Sequence, residues 1–62
     1  MRNSVKGLRT ELGLTQEELG KKPGISRQTI ISVEAGRYDP SLALALKLAT
    51  ILGSRVEDMF FP

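Results

Sequence analysis

Hydrophobic positions recur along this chain in blocks of helical period, separated by glycine, proline and small polar residues, and the blocks predict five helices. In the first block Val5, Leu8, Arg9 and Leu12 have the i, i+3, i+4, i+7 spacing of one helix face. Asn3 or Ser4 can cap that helix, and Gly13 ends it after residue 12. Thr15-Gln16-Glu17-Glu18 has the spacing of a capping box: the threonine hydroxyl bonds forward and the glutamate reaches back. A short second helix therefore starts at Gln16, with Leu19 on its inner side. Pro23 would lose a hydrogen bond and clash with the Leu19 carbonyl inside a helix, so the second helix ends by Lys22. Pro23-Gly24 suits a type II turn, with glycine supplying the positive φ.

Ser26 caps a third helix, and Gly36 fits the left-handed position just past its end. Ile30 and Val33 share its inner face, with Ile25 near its start, while Arg27, Gln28, Ile31 and Ser32 turn outward. Pro40 and Ser41 introduce a fourth helix from Leu42 to Leu52, closed by Gly53. It is apolar on most sides, through Leu42, Leu44, Ala45, Leu48, Ala49 and Leu52, and predicts the central buried helix. Lys47 and Thr50 are left for solvent, and Ala43 and Leu46 are a surplus that points to a second chain. A last short helix spans residues 56–60, with Phe60 plugging the core. Met59 and Phe61 cannot both face inward beside Phe60, which leaves apolar area for a dimer contact or a short terminal strand.

Two charges fall on inner faces. Arg9 lies on the first apolar stripe and Glu34 on the Ile30/Val33 side of the third helix, and charges in such places persist when paired. The expectation is an Arg9–Glu34 ion pair; the alternative is exposure of both at the margin of their stripes.

A chain of 62 residues makes one domain, residues 1–62, near the lower size limit for independent folding. Cysteine and histidine are absent, so neither disulfides nor a Cys/His metal site supplements the core. Stability is left to helix packing, with a partner chain as a possible supplement. No apolar run has membrane-spanning length and no signal-peptide pattern is present, so the expected location is cytoplasmic. The net charge of +2 says little by itself. Its distribution says more: Arg2, Lys6, Arg9, Lys21, Lys22, Arg27 and Arg37 precede Tyr38, whereas Asp39, Glu57 and Asp58 follow it. A basic front would orient the chain on a polyanion; ordinary surface charge is the bland alternative.

The outward set of the third helix holds a fork donor, an amide, a hydroxyl and an apolar group, the groups that read base edges in a DNA major groove. A solvated polar face is the simpler reading of that helix alone. The preceding short helix and glycine-containing turn change the balance, because together they form a helix-turn-helix pattern. The words TQEEL, ISRQTI and E-x-G-x-Y-x-P-S-L from Glu34 to Leu42 closely resemble the Cro/C1-type helix-turn-helix family of bacterial and phage regulators. The resemblance runs over residues 5–60 without a gap. It implies an all-α, compact five-helix lambda-repressor-like DNA-binding domain with the motif at helices two and three. It also implies a sequence-specific regulator, most simply a repressor acting as a homodimer on a twofold-symmetric operator, and an Arg9–Glu34 bridge. Gly20 stands where the family usually has alanine and Pro23 where it has a core residue, which leaves the angle between the two helices open. Ser54 replaces a usual apolar residue and Arg55 a usual serine cap, so the last helix has a weaker start.

Site roles follow. Arg27, Gln28, Ile31 and Ser32 are the expected base readers, because the N-terminal end of a recognition helix enters the groove. Gln16, Thr29, Arg37 and Tyr38 are the expected backbone contacts. Leu46, Met59, Phe60 and Phe61 are the expected dimer contacts. The partner is double-stranded DNA, with no cofactor, metal, membrane or small-molecule ligand. A protein-binding adaptor or antitoxin-like module on the same fold is the second reading, favoured by Ile31. An enzyme is not expected: there is no triad, phosphate loop or metal spacing, and the acids are scattered over capping and surface positions.

Overall fold

The computed structural model describes residues 1–61. Its elements in chain order are β1 (Arg2–Asn3), α1 (Val5–Glu11), α2 (Gln16–Lys21), α3 (Arg27–Glu34), α4 (Leu42–Leu52), α5 (Val56–Met59) and β2 (Phe60–Phe61). The five predicted helices are present in a lambda-repressor-like arrangement. The chain end forms the short terminal strand that the sequence offered as an alternative to a dimer contact; its partner at the chain start was not expected. β1 and β2 pair antiparallel, Arg2 opposite Phe61 and Asn3 opposite Phe60, so the two ends of the described chain close on one another.

Caps explain most of the helix limits. The Thr15 hydroxyl accepts from the Glu18 amide at 3.0 Å and the Thr15 amide donates to Glu18 Oε1 at 2.8 Å, completing the capping box of α2. Ser26 and Ser41 cap α3 and α4 through bonds from the Thr29 and Leu44 amides, each 3.2 Å. α1 starts differently. Ser4 makes no side-chain cap; instead Asn3 Oδ1 accepts from the Val5 amide at 3.1 Å. Asn3 Nδ2 also donates to the Val33 carbonyl at 2.8 Å, which ties the start of α1 to the end of α3. Arg55 adds no side-chain cap to α5, in keeping with the weaker start read from the sequence.

The Pro23-Gly24 turn is not the expected type II. The Ile25 amide reaches back to the Gly20 carbonyl at 2.9 Å and the Gly24 amide to the Lys21 carbonyl at 3.2 Å. That pair of bonds is a Schellman closure, with Gly24 at φ +76 in the left-handed position. Proline fits there because α2 has already ended and its missing N–H is not needed.

Val5, Leu19, Ile30, Val33, Leu48 and Met59 are fully buried, and Ala49 and Leu52 nearly so. They form one core to which all five helices contribute, α2 through Leu19 and α5 through Met59. Three assignments along the stripes change. Leu12 is 54% exposed, because the helix stops at Glu11 and Leu12 is its C-cap; Leu14, beyond the Gly13 reversal, packs against the core instead. Leu42 is 70% exposed rather than inward, so α4 buries only one side. Met59, not Phe60, fills the core, and Phe60 is half-buried beside it. Met59 therefore cannot be a dimer contact: no part of it reaches the surface.

Candidate nucleic-acid interface

α3 is held rigidly at both ends and on its inner side. At its start the Ser26 hydroxyl serves the Thr29 amide and lies 3.0 Å from the Thr29 hydroxyl. At its end Gly36 has φ +75, and the Gly36 and Arg37 amides return to the Val33 and Ser32 carbonyls, both at 3.0 Å. The Gly36 carbonyl in turn accepts from the Met1 amino group at 3.2 Å, and that amino group lies 3.5 Å from the Asp39 carboxylate. A Cβ at Gly36 would also stand 3.0 Å from the Met1 carbonyl oxygen, so a larger residue fails here on two counts. Inward, Ile30 and Val33 have no exposed surface.

Arg9 and Glu34 meet beneath this helix. Arg9 Nε donates to Glu34 Oε2 at 2.7 Å and Nη2 to Oε1 at 3.3 Å, with side-chain exposures of only 10% and 6%. Arg9 Nη1 donates to the Leu14 carbonyl at 2.8 Å, and Gln16 Nε2 donates to Glu34 Oε1 at 3.1 Å. The network joins α1, the turn after it, the first residue of α2 and the last residue of α3. Among the described residues no buried side-chain nitrogen or oxygen lacks a partner, so the charges are compensated rather than merely buried.

The outward side of α3 carries Arg27 and Gln28 exposed and Ile31 and Ser32 half-buried. Two shallow concavities border it. One is lined by Ser26, Gln28, Thr29, Ser32, Arg37 and Tyr38. The other is lined by Lys6, Arg9, Thr15, Gln16, Glu17 and Arg27. The structure thus brings Gln28 and Ser32 together with three of the four expected backbone residues, and puts Arg27 with the fourth, Gln16, on the opposite flank. Ile31 lies on the helix surface between Arg27 and Gln28. Gln16 is half-buried with its amide committed to Glu34, and the Thr29 hydroxyl is engaged by Ser26. Two residues were missed by sequence reasoning. Asn3 anchors the end of α3 through a contact 30 residues away, for which the sequence carries no signal. Lys6 stands on the exposed side of α1 and figured only as one of several basic residues.

Away from this face, Leu42 and Leu46 are one turn apart on α4, and Leu46 is 52% exposed. Leu42 borders an apolar hollow with Met1, Pro40, Ala45, Val56 and Phe60. Phe61 is half-buried, with the Arg2 guanidinium over its ring at 5.6 Å.

Residues 5–59 match the helix-turn-helix family. The chain belongs to that family, in its Cro/C1-type branch. It is 55% identical over 60 residues to an uncharacterized HTH-type transcriptional regulator of Methanocaldococcus jannaschii, covering 97% of this chain and 91% of the relative. Over 61 residues it is 46% identical to the uncharacterized HTH-type transcriptional regulator YgzD of Bacillus subtilis, covering 98% of this chain and 92% of that one. Its fold superposes on the crystal structure of the restriction-modification controller protein C.AhdI from Aeromonas hydrophila with a TM-score of 0.80. Identity to that protein is 39%, over 90% of this chain and 81% of the controller. This regulator family binds DNA in the control of transcription and is not enzymatic. No helix among the described residues is long and apolar enough to cross a membrane.

Proposed function

We propose that this helix-turn-helix protein represses transcription by binding a twofold-symmetric operator as a homodimer. Arg27, Gln28, Ile31 and Ser32 read base edges in the major groove. Gln16, Thr29, Arg37 and Tyr38 hold the backbone and carry no sequence information. The observation that carries this reading is the recognition helix itself: capped at both ends, anchored below, and presenting exposed Arg27 and Gln28 at the end that enters a groove. A domain seated there excludes other proteins from the same base pairs, which is the physical basis of repression.

Size supports the dimer. The longest extent of one domain is 26 Å, whereas successive major-groove faces lie about 34 Å apart. One copy therefore covers one half-site. The exposed Leu42 and Leu46 on α4, with the partly buried Phe60 that shares a hollow with Leu42, offer the apolar face that a second copy would cover. The half-buried Phe61 lines a different hollow, with Met1, Arg2 and Asn3. Selecting binding sites from random DNA tests the proposal. The expected product is an inverted repeat with half-site centres about 10–10.5 base pairs apart, or a multiple of that. An enriched single half-site, or no enrichment, contradicts it.

A second reading, in which α3 meets another protein, draws on Ile31, an apolar group on the outward side of the helix. Salt separates the two. Binding through several phosphate contacts weakens steeply as salt rises, and a hydrophobic protein contact does not.

A further inference from the structure

We propose that α1 belongs to the DNA interface, and that Lys6 takes a backbone phosphate on the flank opposite the one met by Arg37 and Tyr38. The assignment rests on the DNA-binding reading and specifies how the domain sits across the groove. An α-helix with its side chains is about 10–12 Å wide, and the major groove of B-DNA is about 12 Å wide. A helix that lies in the groove therefore fills it, and whatever borders the helix on either side faces a phosphate wall.

The two concavities beside α3 share no residue. Gln28, Ser32, Arg37 and Tyr38 border one, and Lys6, Gln16, Glu17 and Arg27 border the other. In the second, Arg9 is not free to meet a ligand. All three of its guanidinium nitrogens are committed, two to Glu34 and one to the Leu14 carbonyl. Gln16 has given one amide bond to Glu34. The free cations on that flank are Lys6 and Arg27, both exposed and neither in an ion pair among the described residues. Arg27 opens the recognition helix and is drawn to base edges, which leaves Lys6 facing the wall. An ammonium on a flexible stem suits a phosphate oxygen, because it needs no fixed plane. Glu17 is the one unpaired carboxylate beside it, and it partly offsets the local charge without cancelling two cations.

The test compares three variants of the whole chain on the selected operator and on random duplex DNA, with affinity measured between about 50 and 200 mM salt. Lys6→Ala removes one phosphate contact, so the slope of log affinity against log salt falls by about 0.9 per subunit. Over that fourfold change in salt, the affinity lost shrinks by about 3.5-fold per subunit, with the selected sequence unchanged. Lys6→Arg keeps the parent slope. Lys47→Ala is the control: it also removes one exposed charge, but from α4, in a hollow with Lys22, Pro23, Leu46, Thr50 and Ile51 that touches neither flank of α3. It leaves the slope where it was. Equal slopes for Lys6→Ala and Lys47→Ala, while the parent still binds its operator, overturn the assignment alone. A changed base preference in Lys6→Ala overturns it too, because a phosphate contact reads no sequence. A parent that binds no duplex DNA in a salt-dependent way overturns both this assignment and the function it rests on.

Discussion

The Ile25 amide donates to the Gly20 carbonyl at 2.9 Å, and a Cβ placed on Gly20 would stand 2.8 Å from the Ile25 carbonyl oxygen. Backbone thus packs on backbone at the corner of the motif, and the glycine there is required by space, not by φ. The family's usual alanine does not fit this turn as Pro23-Gly24 closes it. Gly20→Ala should destabilise the domain by about 1–3 kcal/mol, the usual cost of overpacking, despite the better helix propensity of alanine. Gly7 is the contrast: it lies exposed inside α1, and a methyl group added there would meet nothing within 4 Å. Gly7→Ala should stabilise by about 0.4–1 kcal/mol. Thermal melts of the two variants decide it, and a gain in both would show that the turn relaxes freely.

Arg9 and Glu34 supply the second prediction. Removing either alone leaves the other charge in a site about nine-tenths closed to water, and should cost roughly 2–4 kcal/mol. The double replacement should cost less than the sum. Gln16→Ala should cost less than either, since it removes one neutral donor from an already paired carboxylate. Additive losses in a denaturant double-mutant cycle would mean that the two charges stabilise the domain independently.

The capping box gives a pH dependence. The Thr15 amide, then its hydroxyl, holds the Glu18 carboxyl below the usual carboxylate range, with Lys21 and Lys22 adding to the effect. A folded value below the unfolded one means that the box contributes fully above the unfolded value and fades as pH falls through the lowered folded value. Thr15→Ala should cost about 1 kcal/mol at neutral pH, as loss of a cap does. In that variant the Glu18 carboxyl should titrate higher, and its stability deficit should narrow in acid. An unchanged Glu18 titration by NMR would break the link.

These three sites show what was legible in the sequence and what was not. Caps and stops are local chemistry, so Thr15, Ser26, Ser41, Gly36 and Gly53 marked the helix limits where the structure has them. The Arg9–Glu34 contact was readable because each charge fell on an apolar stripe. The outward face of α4 was not readable, because LALALKLATIL has too little polar contrast to show that Leu42 faces water. α5 has four residues, barely one turn, so no period could choose between Met59 and Phe60 for the core. The pairing of β1 with β2 rests on backbone bonds between two-residue strands, which leave no side-chain pattern. Gly20 and Pro23 were visible as departures, but only the Schellman closure shows that they belong to one tight corner.

The exposure of Leu42 and the burial of Met59 sharpen the dimer prediction. Leu42→Ser with Leu46→Ser changes two exposed side chains, so each should move stability by no more than about 0.5 kcal/mol. Sedimentation at micromolar concentration should nevertheless shift toward monomer, and operator affinity should fall with it. Met59→Ala should do the reverse: a loss of about 2–5 kcal/mol from a core cavity, with self-association unchanged while the protein stays folded. A parent that sediments as monomer with and without operator DNA removes the symmetric assembly altogether.

The last prediction separates reading from holding within one concavity. Gln28 and Arg37 both border the hollow beside α3, yet Gln28 stands in the first turn of the helix and Arg37 beyond its last. An amide in the groove can bond adenine N6 and N7 together, which no other base matches. A guanidinium past the helix end meets phosphate, which every base pair presents alike. Gln28→Ala should therefore cost roughly 1–3 kcal/mol on the selected operator and little on random DNA, flattening the preference at one position per half-site. Arg37→Ala should weaken both complexes equally and lower the salt slope by about 1 per subunit. Repeating the site selection with each variant checks the division. If Gln28→Ala returns the parent sequence while Arg37→Ala returns a different one, the reading face lies toward the loop, and the helix start only holds the backbone.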